Sequence, residues 1–152
     1  MRDPRCRILL AEDSPQDVEM TLEALAENSL ANEVVTVPDG AEALDYLYGR
    51  GRYQQRPPGN PVLVLLDLKM PKVDGLEVLQ TIKRDPSLRS IPVVMLTSSR
   101  EEQDLLRSYE LGVNAYIVKP VDFAEFVRAV KDIGAFWGVL NQPPPGSVPK
   151  LN

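Results

Sequence analysis

Short runs of apolar residues alternate along this chain with longer segments whose apolar residues recur at helical spacing. Residues 62–66 are five consecutive Val and Leu residues, a length typical of a strand that is buried on both faces of a parallel sheet. Comparable runs occupy residues 6–11, 33–37, 92–96 and 115–118. The pattern therefore predicts five strands, each followed by a helix.

Each predicted helix begins with the same local signal. Ser or Asp stands at the start, and an acidic residue follows three positions later, as in a capping box. The five pairs are Ser14 and Asp17, Asp39 and Glu42, Asp74 and Glu77, Ser99 and Glu102, and Asp122 and Glu125. Short connections between alternating strands and helices favour a parallel sheet with right-handed crossovers. We therefore predict an α/β fold, a flavodoxin-like doubly wound sheet of five parallel strands in the order 2-1-3-4-5 with five helices.

Length and composition indicate one domain followed by a short tail. The chain has 152 residues, of which 43% are apolar, enough to build one hydrophobic core. We predict that the domain spans residues 1–140 and that the Pro-rich residues 141–152 form an extended or disordered tail. The single cysteine, Cys6, lies in an apolar run and is expected to be a small buried hydrophobe.

Charge and histidine content exclude several functions. A net charge of −5 argues against DNA, RNA or an anionic membrane as the direct partner. The absence of histidine excludes Ser-His-Asp catalysis, His-ligated zinc and a role as a phosphohistidine donor. The sequence has neither a signal-peptide pattern nor an apolar stretch long enough to cross a bilayer, so we expect a soluble, cytoplasmic protein.

Polar residues follow four of the predicted strands where each strand ends. They are Glu12, Asp13, Asp67, Thr97 and Lys119. Because the carboxyl ends of parallel strands meet at one edge of a sheet, three carboxylates, a hydroxyl and an ammonium can converge there. Clustered carboxylates repel each other, and ligation by oxygen alone suits a hard divalent cation, above all Mg²⁺.

Over about residues 6–131 the chain resembles the receiver domains of two-component response regulators. The motifs that carry the resemblance are Glu12-Asp13, Asp67 with Met70-Pro71 and Asp74-Gly75 behind it, Thr97-Ser98, and Lys119-Pro120. The resemblance implies that Asp67 accepts a phosphoryl group from a sensor histidine kinase, so that the chain is a signalling protein and not an enzyme. Lys119 and Mg²⁺ would neutralise the phosphoryl oxygens, and Thr97 would donate a hydrogen bond to them.

The same resemblance assigns the ligands of the cation and a conformational switch. Asp13 and Asp67 would bind Mg²⁺ directly, the backbone carbonyl of Lys69 would be a further ligand, and Glu12 would act through a water. Tyr116 matches the switch aromatic of the family, although packing within a strand explains it equally well. Phosphorylation would then remodel the face formed by helix 4, strand 5 and helix 5.

Four further expectations concern details of the site and of the output. The resemblance implies a cis peptide bond between Lys119 and Pro120. We predict that Lys69 and Ser99 tune the lifetime of the phosphoryl group, because both should lie near the path of an attacking water. The sequence also resembles the stand-alone regulators paired with bacterial phytochrome kinases, which implies a bacteriophytochrome kinase as partner. A homodimer could form through helix 4, strand 5, helix 5 and the Phe136-Trp137 segment.

Alternative functions remain open at this point. A phosphatase of the haloacid-dehalogenase type also uses a strand-end Asp with Mg²⁺, but it places a second Asp where this chain has Lys69. A flavodoxin-like nucleotide binder needs a phosphate loop after strand 1, where Glu12 and Asp13 would repel phosphate. A degenerate receiver that acts only as a scaffold is the third alternative, and the intact Asp67, Thr97 and Lys119 argue against it.

Overall fold

A five-stranded parallel sheet forms the centre of the molecule. The computed structural model describes residues 6–149. The strands are β1 (Ile8–Ala11), β2 (Val34–Val37), β3 (Leu63–Leu66), β4 (Val93–Thr97) and β5 (Ala115–Val118). They lie in the order β2-β1-β3-β4-β5, and every neighbouring pair is parallel. The predicted fold class and strand order are therefore confirmed.

Five α-helices connect and follow the strands. They are α1 (Pro15–Ala26), α2 (Gly40–Tyr48), α3 (Gly75–Arg84), α4 (Glu102–Glu110) and α5 (Phe123–Ile133). The sheet separates two hydrophobic clusters: α1 and α5 pack on one face, and α2 and α3 pack on the other. The central strands β1, β3 and β4 are buried throughout, as expected for parallel strands covered on both faces.

Four of the five predicted helix caps are confirmed. The side chains of Ser14, Asp39, Asp74 and Asp122 each accept a hydrogen bond from the backbone N–H three residues later. The predicted cap at Ser99 is wrong, because α4 begins later, with Glu101 as its N-cap residue. The Ser99 hydroxyl instead donates to the Asp104 carboxylate at 2.6 Å, and hydrogen bonds to a charged acceptor are stronger than those to neutral groups.

The chain after α5 stays packed against the domain. A π-helical segment, Gly134–Leu140, continues directly from α5, and the guanidinium of the buried Arg7 donates to the Gly138 carbonyl at 2.7 Å. Further on, the Val148 N–H donates to the Asn60 carbonyl at 2.8 Å. Residues 141–149 thus lie along the domain in a largely irregular path, while residues 150–152 of the predicted tail lie outside the described residues. Within residues 6–149 no helix has the length and apolar content needed to cross a bilayer.

Candidate functional site

Two loops at the carboxyl edge of the sheet bring acidic residues together. Glu12 and Asp13 follow β1, and Asp67 follows β3, where its N–H donates to the Ala11 carbonyl at 3.0 Å. The loop after Asp67 folds back tightly: the Gly75 N–H donates to the Leu68 carbonyl at 2.7 Å. A Cβ atom on Gly75 would lie 2.3 Å from the Asp67 carbonyl oxygen, so only glycine permits this approach.

The three carboxylates form a cluster that fits a divalent cation. Glu12, Asp13 and Asp67 each offer an oxygen, and these oxygens lie within 4.8 Å of one another. The Asp67 side chain is 11% exposed and that of Glu12 is 4% exposed, whereas Asp13 faces solvent. An oxygen-only set that is open on one side suits a hard cation which keeps some of its waters. The residues predicted as carboxylate ligands are thus brought together.

Lys119 joins this cluster from β5. Its ammonium donates to Glu12 Oε1 at 2.6 Å, to Asp17 Oδ2 at 2.7 Å and to Asp67 Oδ2 at 3.4 Å. Burial alone would lower the pKa of Lys119, but the hydrogen bonds to Asp17 and Glu12 outweigh it and raise that pKa. Lys119 is therefore held as a charged donor, 10% exposed, beside the candidate phosphoacceptor.

Asp17 is the site residue that the sequence did not reveal. Its position three residues after the cap Ser14 suggested a helix-capping role alone, and its contact with Lys119 spans 102 positions of the chain. One signal could have found it. The first turn of a helix that follows a site loop lies at the same edge of the sheet, so an acid there faces the site.

Burial and neighbouring charge shift the acidity of Glu12. Burial and, to a smaller extent, the charge of Asp67 raise the pKa of Glu12 to about 7, although the hydrogen bond from Lys119 lowers it. The Ser14 N–H also donates to Glu12 at 3.1 Å. In the absence of a cation, Glu12 is therefore a mixture of acid and carboxylate near neutral pH.

The residues on β4 and its loop form a second hydrogen-bonded group. Thr97 is buried, and its hydroxyl accepts from the Ser99 N–H at 3.2 Å. The Tyr116 hydroxyl donates to the Ser99 carbonyl at 3.1 Å. Among the described residues no hydrogen bond joins Thr97 to Asp67, so Thr97 ends β4 at the correct edge but turns toward its own loop. Ser99 is thereby the physical link between Thr97 and Tyr116.

Two further expectations can be compared with the geometry. The Lys69 side chain is 69% exposed, and its ammonium lies 3.8 Å from Glu101 at the rim of the site. The expected cis bond between Lys119 and Pro120 is wrong, since residues 6–149 contain no cis peptide bond. Trans is the favoured isomer even before proline, and with it the Lys119 N–H still donates to the Thr97 carbonyl at 2.7 Å.

The parallel sheet thus places an acidic cluster, a buried hydroxyl and a lysine together at its carboxyl edge, which is the arrangement of a receiver domain. Comparison with known proteins gives the family: residues 8–131 match the model of the response regulator receiver domain, and the chain belongs to that family.

Individual relatives are similar over most of the chain. Response regulator Rcp1 of Synechocystis sp. is 42% identical over 130 residues, which cover 86% of this chain and 87% of Rcp1. The crystal structure of its Mn²⁺-bound form superposes with a TM-score of 0.84, at 41% identity over 90% of this chain and 97% of that one. The chain therefore has an acidic cluster that fits a divalent cation, and it is similar to a protein that has been crystallised with Mn²⁺.

Two other solved structures are phytochrome-related. The phosphorylated cyanobacterial phytochrome response regulator RcpA is 44% identical, with a TM-score of 0.85 over 92% of this chain and 99% of that one. The bacteriophytochrome response regulator AtBRR is 65% identical, with a TM-score of 0.71 over 91% of this chain and 100% of that one. The resemblance to phytochrome-associated regulators is therefore confirmed.

Proposed function

We propose that this protein is a response regulator that accepts a phosphoryl group on Asp67 from the phosphohistidine of a sensor histidine kinase. The observation that carries the proposal is the position of the Lys119 ammonium, 3.4 Å from an Asp67 carboxylate oxygen at the edge of the acidic cluster. A carboxylate nucleophile beside a fixed positive charge is the arrangement that phosphoryl transfer needs, because catalysis of this transfer is mainly positioning and charge neutralisation.

The transfer step follows from these positions. A carboxylate oxygen of Asp67 attacks the phosphorus atom, a P–O bond forms, and the P–N bond to the histidine breaks. The histidine leaves with the bonding electron pair and takes up a proton from solvent. Lys119 donates to a phosphoryl oxygen, and the Thr97 hydroxyl, once it turns from Ser99, donates to another. We expect self-phosphorylation and autodephosphorylation as the only reactions of the chain, with Lys69 and Ser99 at the rim tuning the second of them.

Mg²⁺ is the cofactor that the ligand set suits best. Asp13 and Asp67 would hold it directly, the Lys69 carbonyl would complete the protein ligands, and Glu12 would contact it through a water. When bound, the cation neutralises phosphoryl oxygens that would otherwise be repelled by the carboxylates. The existence of a Mn²⁺-bound form of Rcp1 supports the proposal that this chain binds a divalent cation.

Output is proposed to pass through the face of α4, β5 and α5. Thr97, Ser99 and Tyr116 are joined by hydrogen bonds, so a phosphoryl group that draws Thr97 away would also disturb Tyr116. The face carries the exposed apolar side chains Leu106 and Phe123, which support a protein partner or a second copy of the chain. In the Phe136-Trp137 segment only Phe136 is exposed for contact with a partner, because Trp137 packs against the core.

The kinase is proposed to be a bacteriophytochrome. This finer assignment rests on the similarity of the chain to RcpA, a cyanobacterial phytochrome response regulator, and to AtBRR, a bacteriophytochrome response regulator. We further propose a cytoplasmic protein that acts in trans on another protein, with no nucleic acid or membrane as its direct partner. Residues 1–140 would form the receiver and residues 141–152 a tail, of which residues 141–149 lie against the domain.

One experiment tests the central proposal. The intact mass is measured after incubation with acetyl phosphate and Mg²⁺, for the wild type, for Asp67→Asn, and for wild type with EDTA. Asp132→Asn, which removes an exposed acid on α5, is the matched control. We expect one added phosphoryl group in the wild type and in the control, and none in the other two samples. Retention of the added mass in Asp67→Asn would show that another residue is the acceptor.

If acetyl phosphate gives no product, the same four samples are incubated with autophosphorylated bacteriophytochrome kinase. Transfer to the wild type and the control alone would support both the acceptor and the kinase assignment. Absence of transfer from either donor would overturn the bacteriophytochrome assignment and favour a receiver that acts only as a scaffold.

A further inference from the structure

Asp17 holds a third carboxylate against the lysine of the site. Its Oδ2 lies 2.7 Å from Lys119 Nζ, whereas the nearest oxygen of Asp67 lies 3.4 Å away. The backbone of Asp17 is fixed on both sides: its N–H donates to Ser14 Oγ at 3.3 Å, and its carbonyl accepts from Thr21 Oγ1 at 2.7 Å. The carboxylate is therefore anchored to the first turn of α1 and cannot follow Lys119 far.

The contact of Asp17 is with the lysine and not with the candidate cation site. Within residues 6–149, the acids close enough to share one ion are Glu12, Asp13 and Asp67, and Asp17 is not among them. Its side chain is also more exposed, at 25% compared with 11% for Asp67. Among the described residues Asp17 thus has one charged partner, the ammonium that the proposed function assigns to the phosphoryl group.

From this geometry we infer that Asp17 is a positioning residue that competes with the phosphoryl group on Asp67 for the ammonium of Lys119. The inference rests on the proposed function and deepens it. An ammonium has three donors, and here its two shortest hydrogen bonds go to carboxylates other than the phosphoacceptor. To reach a phosphoryl oxygen, Lys119 must weaken a contact, and the anchored Asp17 opposes that movement. Asp17 also places its negative charge 2.7 Å from the ammonium that the phosphoryl group would need, and like charges that share one cation repel each other.

The inference predicts that removal of the Asp17 charge favours the phosphorylated state. Beryllofluoride, which binds an aspartate as a phosphoryl mimic, serves as the probe at saturating Mg²⁺ and is followed by ¹⁹F NMR. Asp17→Asn keeps the shape of the side chain and removes its charge. We expect this variant to bind beryllofluoride about tenfold more tightly than the wild type does, because a tenfold change in affinity is what one partly screened interaction between two charges contributes. Asp17→Glu, which keeps the charge, should bind within about threefold of the wild type.

A matched control separates this contact from a general change in charge. Glu19 is an exposed acid on the same helix, and Glu19→Gln should leave the affinity unchanged. The inference is overturned if Asp17→Asn binds as the wild type does or more weakly, or if Glu19→Gln strengthens binding equally. If the wild type binds no beryllofluoride and accepts no phosphoryl group, the proposed function fails instead, so that the two failures are distinguishable.

A second readout needs neither metal nor phosphoryl mimic. In urea unfolding of the metal-free protein, Asp17→Asn should lower the midpoint, because it removes a partner of the 10% exposed Lys119. In a Lys119→Met background the same substitution should have little effect, since the contact no longer exists. An equal loss in both backgrounds would show that Asp17 acts only by its place in the helix and would overturn the positioning role.

Discussion

Repulsion within the acidic cluster should make the metal-free protein less stable than a variant that lacks the negative charge of Asp67. We consider Asp67→Asn, which keeps the size of the side chain and removes one negative charge. In the native state this charge is attracted by Lys119 at 3.4 Å and repelled by Glu12 and Asp13, whose oxygens lie within 4.8 Å. The sign of the change depends on which of these forces is larger.

Coulomb's law gives the order of magnitude. With an effective dielectric constant of about 20, the attraction at 3.4 Å is about 5 kcal/mol, and each repulsion, over a distance of at most 4.8 Å, is at least about 3.5 kcal/mol. Two repulsions exceed one attraction by about 2 kcal/mol, and solvent screening of the exposed Asp13 reduces the difference. We expect Asp67→Asn to raise the free energy of unfolding by about 1 kcal/mol at pH 8 in EDTA.

The effect should depend on pH through Glu12. Burial and the charge of Asp67 raise the pKa of Glu12 from 4.5 to about 7 in the folded state. A carboxyl group whose folded pKa is raised stabilises the fold below its unfolded pKa, and this contribution is lost as pH rises through the folded pKa. The metal-free wild type should therefore lose stability between about pH 5 and pH 8. Asp67→Asn should lose less, because it removes one cause of the shift.

Urea unfolding followed by the fluorescence of Trp137, the single tryptophan, measures these differences. The same measurement is repeated with Mg²⁺. At a Mg²⁺ concentration of about ten times the dissociation constant, the wild type should gain about 1.4 kcal/mol in its free energy of unfolding, and Asp67→Asn should gain less. A lower midpoint for Asp67→Asn at pH 8 in EDTA would refute the reasoning, since it would mean that the attraction to Lys119 outweighs the repulsion within the cluster.

A substitution at Gly40 and a labelling experiment on Cys6 test the packing of the core. Gly40→Ala should destabilise the protein by about 3 kcal/mol, because the added Cβ would lie 2.0 Å from the backbone oxygen of Val73; a urea midpoint equal to that of the wild type would contradict the close approach. Cys6 is buried, and burial raises its pKa to about 11, so at pH 8 it should react with iodoacetamide at least about 100-fold more slowly than in the unfolded protein. Equal labelling rates with and without denaturant would show that the thiol is exposed.

The fold was predictable because each local signal agrees with the whole. The residues of β5 coincide with the predicted run 115–118, and α2 ends at Gly49 in the left-handed conformation. Apolar runs and helix caps are local features, which a sequence displays directly. The order of the strands then follows from the preference for right-handed crossovers with short connections.

The sequence predicted which residues meet at the site, because the topology of the sheet decides that, but it did not predict their hydrogen-bond partners. Glu12, Asp13, Asp67 and Lys119 converge because strand ends in a parallel sheet share one edge. The cap at Ser99 failed because its hydroxyl has a competing partner in Asp104, five residues away. Which acceptor a hydroxyl or an ammonium chooses depends on distances of a few tenths of an ångström. Spacing along the chain carries no such information.

The charges around Lys119 explain why a cation should come before phosphorylation. Within the described residues, the ammonium of Lys119 donates to three carboxylates, those of Glu12, Asp17 and Asp67. A fourth, that of Asp13, offers an oxygen within 4.8 Å of oxygens of Glu12 and Asp67. An incoming phosphoryl group would add further negative charge to a site that is already short of positive charge. Partial protonation of Glu12 relieves only part of this excess. A divalent cation held directly by Asp13 and Asp67 would reverse the balance. Within the described residues Asp17 is not among the acids that could share this cation, so its contact with Lys119 would remain. The structure thus makes Asp17 the remaining competitor for the lysine once the metal is bound, which is why its removal should act on the phosphoryl mimic in the presence of saturating Mg²⁺.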